Sequence, residues 1–214
     1  MFKIGVIGSG KGSNFQAIAD AISNGSLSGV EIAVVISDNP NAYILERAKK
    51  LGIPAVYIAP GKFKTKLEPE IEAQYVETLK KYEVGLVVLA GYMRMVKNVM
   101  MNAYRGKIIN IHPSLLPAFP GLESFKQAFD YGAKIAGCTV HFIDDGMDTG
   151  PIIGQRAVAV YDDDTPQSVH ERIQVEEHIL YPACVKLIAE GKVRLDGRKV
   201  YVQGKFPEIN NLIK

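Results

Sequence analysis

Asn110 and His112 stand two residues apart in the run Asn110-Ile-His112-Pro-Ser-Leu-Leu-Pro117, at the end of an apolar segment. In a strand, that spacing sends both side chains to one face. One offers a fixed amide N–H and the other a titratable imidazole, a pair suited to stabilising an oxyanion and delivering a proton. Pro113 and Pro117 stiffen the loop that follows. The plainer alternative is a satisfied histidine at a strand end. A second stretch, Asp144-Asp-Gly-Met-Asp148-Thr-Gly-Pro151, places three carboxylates and two glycines in one loop. A carboxylate beside a histidine raises its pKa and orients the ring. A calcium loop is excluded, because the position that would need Glu is Gln155. A solvated acidic turn is the alternative here.

Gly8-Ser-Gly10-Lys-Gly12-Ser-Asn14 follows an apolar run and opens a helical pattern. Glycines there allow a tight turn and close approach of a ligand, and the amides at a helix start suit phosphate. A dinucleotide fingerprint would require glycine at Ser13, and a nucleotide P-loop would require Ser or Thr at Gly12. Neither match is complete. A ligand-free turn capped by Ser13 is the competing reading. A fourth run, Gln174-Val175-Glu176-Glu177-His178, lies on a helical pattern and could equally be a solvated helix face. His141 and His170 have no metal-ligand spacing with a second histidine and read as structural.

These residues need a scaffold. Strand-like runs at 3–7, 31–36, 54–58, 85–90 and 108–111 alternate with helical patterns at 13–23, 43–51 and 68–82. Ser13 and Gln16 have capping-box spacing, which makes Ser13 the expected N-cap. That order predicts a doubly wound, mainly parallel α/β sheet. Farther along, the runs 137–143 and 151–160 are joined by a loop too short for a crossover helix, so this pair is expected to be antiparallel. Thr165-Pro166 opens a long helix whose apolar stripe is Val169, Ile173, Leu180, Cys184 and Leu187 or Ile188, with a kink expected at Pro182. Asp196-Gly197 turns a terminal hairpin.

Composition narrows the function. Twenty-five basic and 23 acidic residues leave a net charge of +2, too balanced for a protein built on nucleic acid or anionic lipid. No apolar run approaches the roughly 20 residues of a membrane span. The start Met1-Phe2-Lys3-Ile4 shows no signal-peptide core, so a cytoplasmic location is expected. Two cysteines give neither a disulfide framework nor zinc-ligand spacing, and no metal is expected.

Taken together, the motifs resemble the folate-dependent formyltransferases, and within them the glycinamide ribonucleotide branch. The carrying residues are Gly12–Asn14, Leu89-Ala-Gly-Tyr-Met-Arg94, Asn110–Pro117, Asp144–Asp148 with Gly150-Pro151, and Gln174–His178 followed by Tyr181-Pro182. Their order and separations match over about residues 1–203. The resemblance implies a Rossmann-like formyltransferase fold over 1–203, with a ribonucleotide-binding half at 1–111, a folate and catalytic half at 112–203, and a tail at 204–214. It implies transfer of the formyl group of 10-formyltetrahydrofolate, a co-substrate, to the amine of glycinamide ribonucleotide in purine biosynthesis. Asn110, His112 and Asp148 fall on the catalytic trio. Gly12, Ser13 and Asn14 fall on the ribonucleotide phosphate loop, and Gln174, Val175, Glu176 and Glu177 on a second contact with that substrate. Met93, Arg94, Met95 and Val96, with Asn110 and the loop Asp144, Asp145, Gly146, Met147 and Asp148, fall on the folate pocket. A basic folate contact that is often Arg is Lys66 here, which keeps the charge without the bidentate fork. Glu123-Ser-Phe125 stands where many relatives carry histidines. The expected partners are these small molecules, with a homodimer left open.

Two rivals are weighed. A formyltransferase acting on a sugar nucleotide or on methionyl-tRNA shares the chemistry, and the tRNA enzyme would be expected to add a basic domain. A non-catalytic nucleotide sensor would use only the first glycine loop and would leave Asn110, His112 and Asp148 without a purpose.

Overall fold

The computed structural model describes residues 1–203. The chain divides into two compact units, Met1–Asn110 and one beginning at Ile111. In the first unit, β1 (Phe2–Ile7), α1 (Ser13–Ser23), β2 (Val30–Ser37), α2 (Tyr43–Lys50), β3 (Ala55–Tyr57), α3 (Pro69–Lys81), β4 (Leu86–Leu89) and α4 (Asn98–Tyr104) lead to β5 (Ile108–His112), whose last two residues open the second unit. Neighbouring strands pair in parallel in the order β3-β2-β1-β4-β5. All four residues of β4 are buried, as a central parallel strand requires.

The order reverses direction between β1 and β4, and such a reversal is where open α/β sheets bind ligands. The loops leaving the carboxyl ends of these two strands are the glycine loop 8–12 and the segment 90–97.

Two details of the first unit depart from expectation. The N-cap of α1 is Gly12 and not Ser13, which is the first helical residue. Gln16 does not reach back in a capping box; its amide donates to Asp20 and its carbonyl accepts from Arg47. Helix α4 was not anticipated. Its first turn is satisfied from elsewhere, since the buried Glu72 of α3 accepts the Lys97 amide at 2.5 Å and the Val99 amide at 3.0 Å.

The second unit contains α5 (Ser124–Tyr131), β6 (Ile135–Phe142), β7 (Ile152–Ala159), α6 (Pro166–Ala189), β8 (Val193–Asp196) and β9 (Lys199–Val202). β6 and β7 are antiparallel, and β8 and β9 form the hairpin turned at Asp196-Gly197. Thus the fold class anticipated above is observed, with the addition of α4 and α5. Thr165 caps α6 in a capping box with Ser168, and the helix continues through Pro182. Val169, Ile173, Leu180, Cys184 and Leu187 are all buried along it. Burying each such aliphatic side chain stabilises the fold by about 1.5–3 kcal/mol. Glu177 shares this buried stripe, an unusual place for a carboxylate. The tail 204–214 lies outside the described residues.

Candidate active site

In the first unit, the candidate phosphate loop is built around Gly12. Its φ of 71° is left-handed, and a Cβ there would lie 2.7 Å from Ile44 Cγ1 and 3.0 Å from Ile44 Cα. Glycine is therefore required for α2 to pack on this turn. It also leaves the helix without a side-chain cap. The first-turn amides of an α-helix have no intrahelical acceptor, so this end suits an anion. Ser13 is half-buried and Asn14 buried at the opening turn. The loop is fastened to the neighbouring strand end: Ser9 N–H donates to Gly91 O at 3.1 Å, and Ser9 Oγ accepts from Met93 N–H at 3.2 Å.

That neighbouring segment holds Met93, Arg94, Met95 and Val96. Met93 is 62% exposed. Lys66 is brought beside the segment by an isolated parallel bridge with Met95, and Met95 N–H donates to Thr65 O at 2.8 Å. The Lys66 ammonium sits 4.8 Å from the centre of the Phe63 ring. Asn110, half-buried on β5, is the last residue of this unit.

In the second unit, the structure brings His112 and Asp148 together: Nδ1 of the buried His112 lies 3.5 Å from Asp148 Oδ2. His112 Nε2 lies 3.1 Å from Phe119 O. A carbonyl only accepts, so Nε2–H is the donor to Phe119 O, and Nδ1 faces the carboxylate. Asp148 is held by its backbone. Its φ is 55°, uncommon for a residue with a side chain, and its Oδ2 accepts the Gly121 amide at 2.9 Å. The rest of the loop shapes that turn. Asp144 Oδ1 accepts from Gly146 N–H at 3.1 Å and from Thr149 Oγ1 at 2.7 Å. Gly150 admits no side chain, since a Cβ would lie 1.7 Å from Phe142 O. Asp145 and Met147 are exposed. A cavity of about 340 Å³ is lined by Leu116, Pro117, Pro120, Met147, Asp148, Thr149, Gly150, Ile152 and Arg198. Asp148 is the carboxylate in its otherwise mainly apolar wall.

Two further groups beside this loop were not anticipated there. His141, read as structural, is buried with Nε2 3.8 Å from Asp148 Oδ1, and its Nδ1–H donates to Phe142 O at 2.8 Å. Burial pushes its pKa below the ordinary histidine value, against the opposing pull of the Phe142 hydrogen bond and the Asp148 charge. Arg198, from the terminal hairpin, donates to Thr149 O at 2.6 Å and lines the cavity. On α6, Glu176 is paired with the buried Arg156 of β7, while Val175 points outward. Among the described residues, no group of three or more His, Cys, Asp or Glu could hold a metal ion, and no helix is long and apolar enough to cross a membrane.

One unit of this doubly wound α/β chain thus presents an uncapped glycine turn of the kind that suits an anion, and the other a histidine paired with a carboxylate, groups of the kind used in acid–base group transfer. The comparisons narrow this class. The chain belongs to the formyl transferase family, whose model matches residues 2–185. It is 44% identical over 186 residues to phosphoribosylglycinamide formyltransferase of Bacillus subtilis (strain 168), covering 87% of this chain and 94% of that protein. It is 38% identical over 205 residues to the protein of that name from Haemophilus influenzae, covering 96% and 95%. The crystal structure of glycinamide ribonucleotide transformylase 1 from Symbiobacterium toebii matches with a TM-score of 0.91 and 47% identity, over 95% of each chain.

Proposed function

We propose that this chain transfers the formyl group of 10-formyltetrahydrofolate to the amine of glycinamide ribonucleotide, a step of purine biosynthesis. The glycinamide nitrogen, as free amine, attacks the formyl carbon. The carbon becomes tetrahedral and its oxygen gains negative charge. The bond to folate N10 then breaks, the attacking nitrogen loses a proton, and N10 gains one. Asn110 would donate its amide N–H to the oxyanion, and doubly protonated His112 would donate a second hydrogen bond. For that, His112 Nε2–H must exchange Phe119 O for the formyl oxygen. Asp148 would hold the imidazolium and orient it. Gly12, Ser13 and Asn14 would take the ribonucleotide phosphate, with Gln174–Glu177 as its second contact. Lys66, Met93–Val96 and the loop Asp144–Asp148 would take the folate.

The observation that carries this reading is the His112–Asp148 pair, held at 3.5 Å by a turn with φ 55°. A nucleotide sensor has no use for a strained carboxylate beside a histidine. The test is to incubate the protein with 10-formyltetrahydrofolate and glycinamide ribonucleotide and follow tetrahydrofolate release. Turnover with this acceptor supports the reading; binding of both ligands without turnover favours the sensor.

A further inference from the structure

Arg94 occupies an unusual position in the first unit. Its side chain is only 14% exposed and lies against Asp38, itself 6% exposed, with Nε donating to Asp38 Oδ2 at 2.6 Å. Asp38 follows β2 directly and is 56 residues away in sequence. The same guanidinium turns its Nη1 to two backbone carbonyls, Phe63 O and, at 2.8 Å, Lys64 O. One planar group thus ties the end of β2 to an otherwise exposed loop. Lysine could not reproduce this, since it lacks the fixed fork of N–H donors.

The surroundings make the ion pair obligatory. Tyr75 and Tyr92 pack with ring centres 6.3 Å apart. Burial holds both phenols far above their ordinary pKa, and the Asp38 charge adds to this. A phenol carries no positive charge in either state, so neither ring can balance the Asp38 carboxylate; Arg94 is the cation paired with it. The loop that Arg94 grips is the one carrying Lys66. From Phe63 and Lys64 the chain runs through Thr65, whose carbonyl accepts Met95 N–H, to Lys66, which bridges to Met95. The Phe63 ring under the Lys66 ammonium belongs to a residue whose carbonyl Arg94 holds.

We propose that Asp38 and Arg94 are positioning residues for the formyl donor: a clasp that fixes loop 62–66, and with it Lys66, alongside Met93–Val96. The inference rests on the reaction proposed above. It assigns the Arg94 guanidinium to the loop and not to the ligand. It also gives Asp38, which has no role in the chemistry, a measurable part in donor binding.

The test has two arms. In the first, hydrogen exchange is measured on the protein without substrates. Asp38→Asn removes the charge and keeps the shape; Arg94→Lys keeps the ion pair and releases the two carbonyls, so it serves if Asp38→Asn folds poorly. Both variants should exchange faster across 62–66 and at the Met95 amide, with the rest of the sheet unchanged. In the second arm, KM for 10-formyltetrahydrofolate should rise about tenfold with kcat within about twofold, the mark of lost binding shared by ground and transition states. KM for the ribonucleotide should not move. In a Lys66→Ala background, Asp38→Asn should add nothing further, because the two act through one contact. Unchanged exchange in both variants would overturn the clasp. Equal losses in kcat and both KM values, or full additivity with Lys66→Ala, would overturn its role in donor positioning. Absence of turnover in the parent protein would overturn the reaction instead, and the exchange arm would still decide the clasp.

Discussion

The two units each hold a critical turn in left-handed backbone, and they do it with opposite residues. At the start of α1 the turn residue is Gly12, φ 71°; between β6 and β7 it is Asp148, φ 55°. Glycine adopts such torsions at no steric cost, whereas a residue with a Cβ costs about 1–2 kcal/mol. The first turn needs only shape: it must pass under Ile44 and present bare amides. The second needs shape and a carboxylate at once, aimed at His112 and fastened to the Gly121 amide. On the reaction proposed above, left-handed backbone is taken by a side-chain-bearing residue where its carboxylate is to act on His112, and by glycine where bare amides are to bind.

The strongest way to break that contrast is Asp148→Asn. Asparagine is at home at positive φ and keeps an oxygen to accept the Gly121 amide. The fold should be as stable as the parent or slightly more so. Turnover should fall by about 10²–10⁴-fold, the usual range for removing an acid–base partner, with the ribonucleotide dissociation constant little changed. A variant that keeps turnover would show Asp148 to be an acidic turn and nothing more. Added divalent cations should not restore activity.

Gly12→Ala is the mirror experiment and should reverse the pattern. The new Cβ meets Ile44 atoms at 2.7–3.0 Å, one of them backbone, at a φ that alanine resists. Stability should drop by about 1–3 kcal/mol, read from urea unfolding. Ribonucleotide binding in calorimetry should weaken, while kcat at saturation should fall far less than in Asp148→Asn. Loss of turnover without loss of ribonucleotide affinity would mean that the glycine turn is no phosphate site.

Legibility in the sequence follows the same division between local and distant causes. The parallel strands, the antiparallel β6–β7 pair, the Thr165-Pro166 helix start and the terminal hairpin all have local signatures of periodicity, loop length and caps. The candidate site residues that sit in motifs, Asn110, His112, Asp148 and the glycine loop, are local in the same sense. Helix α4 has no such signature, because its cap is Glu72, 25 residues upstream. Helix α5 begins at a Glu123 with φ 52° that makes no capping bond, so its start carries no cap signal, and only Gly132 at its end marks it. Ser13 has the right neighbour for a capping box, yet Arg47 and Asp20 engage Gln16 instead. His141 and Asp38 were missed for the same reason. Each gains its partner only when the sheet folds, and spacing along the chain carries no trace of it.

His141 tests the carboxylate side of the comparison through pH. Burial lowers its pKa in the folded chain, while in the unfolded chain it titrates near about 6.5. Above that value both states are neutral and the group has no effect on stability. As pH falls through it, the unfolded chain takes up a proton that the folded one refuses, so stability is lost toward the lower folded value. The slope can reach about 1.4 kcal/mol per pH unit. Urea midpoints at pH 7 and pH 5 should therefore fall further in the parent than in His141→Gln. Equal falls would show that the buried ring is protonated in both states.

The smallest effect, and the sharpest control, is at Glu83. This residue has the same φ as Asp148, 55°, and the same acidic character, but it lies just after α3 on the surface. Its carboxylate pairs with Lys3 at 2.6 Å, and the two side chains are 77% and 33% exposed. An ion pair this exposed contributes little and is screened by salt. Glu83→Gly should therefore raise Tm slightly, because relief of the backbone outweighs loss of the pair, and kcat should be unchanged. The gain should grow at high salt, where the ion pair has faded and only the torsion differs between variant and parent. A fall in Tm that persists at high salt would mean that an acidic residue at this torsion carries no strain. The cost assigned to Asp148 would then need another source, such as the crowding of His112, His141 and Gly121 around its carboxylate.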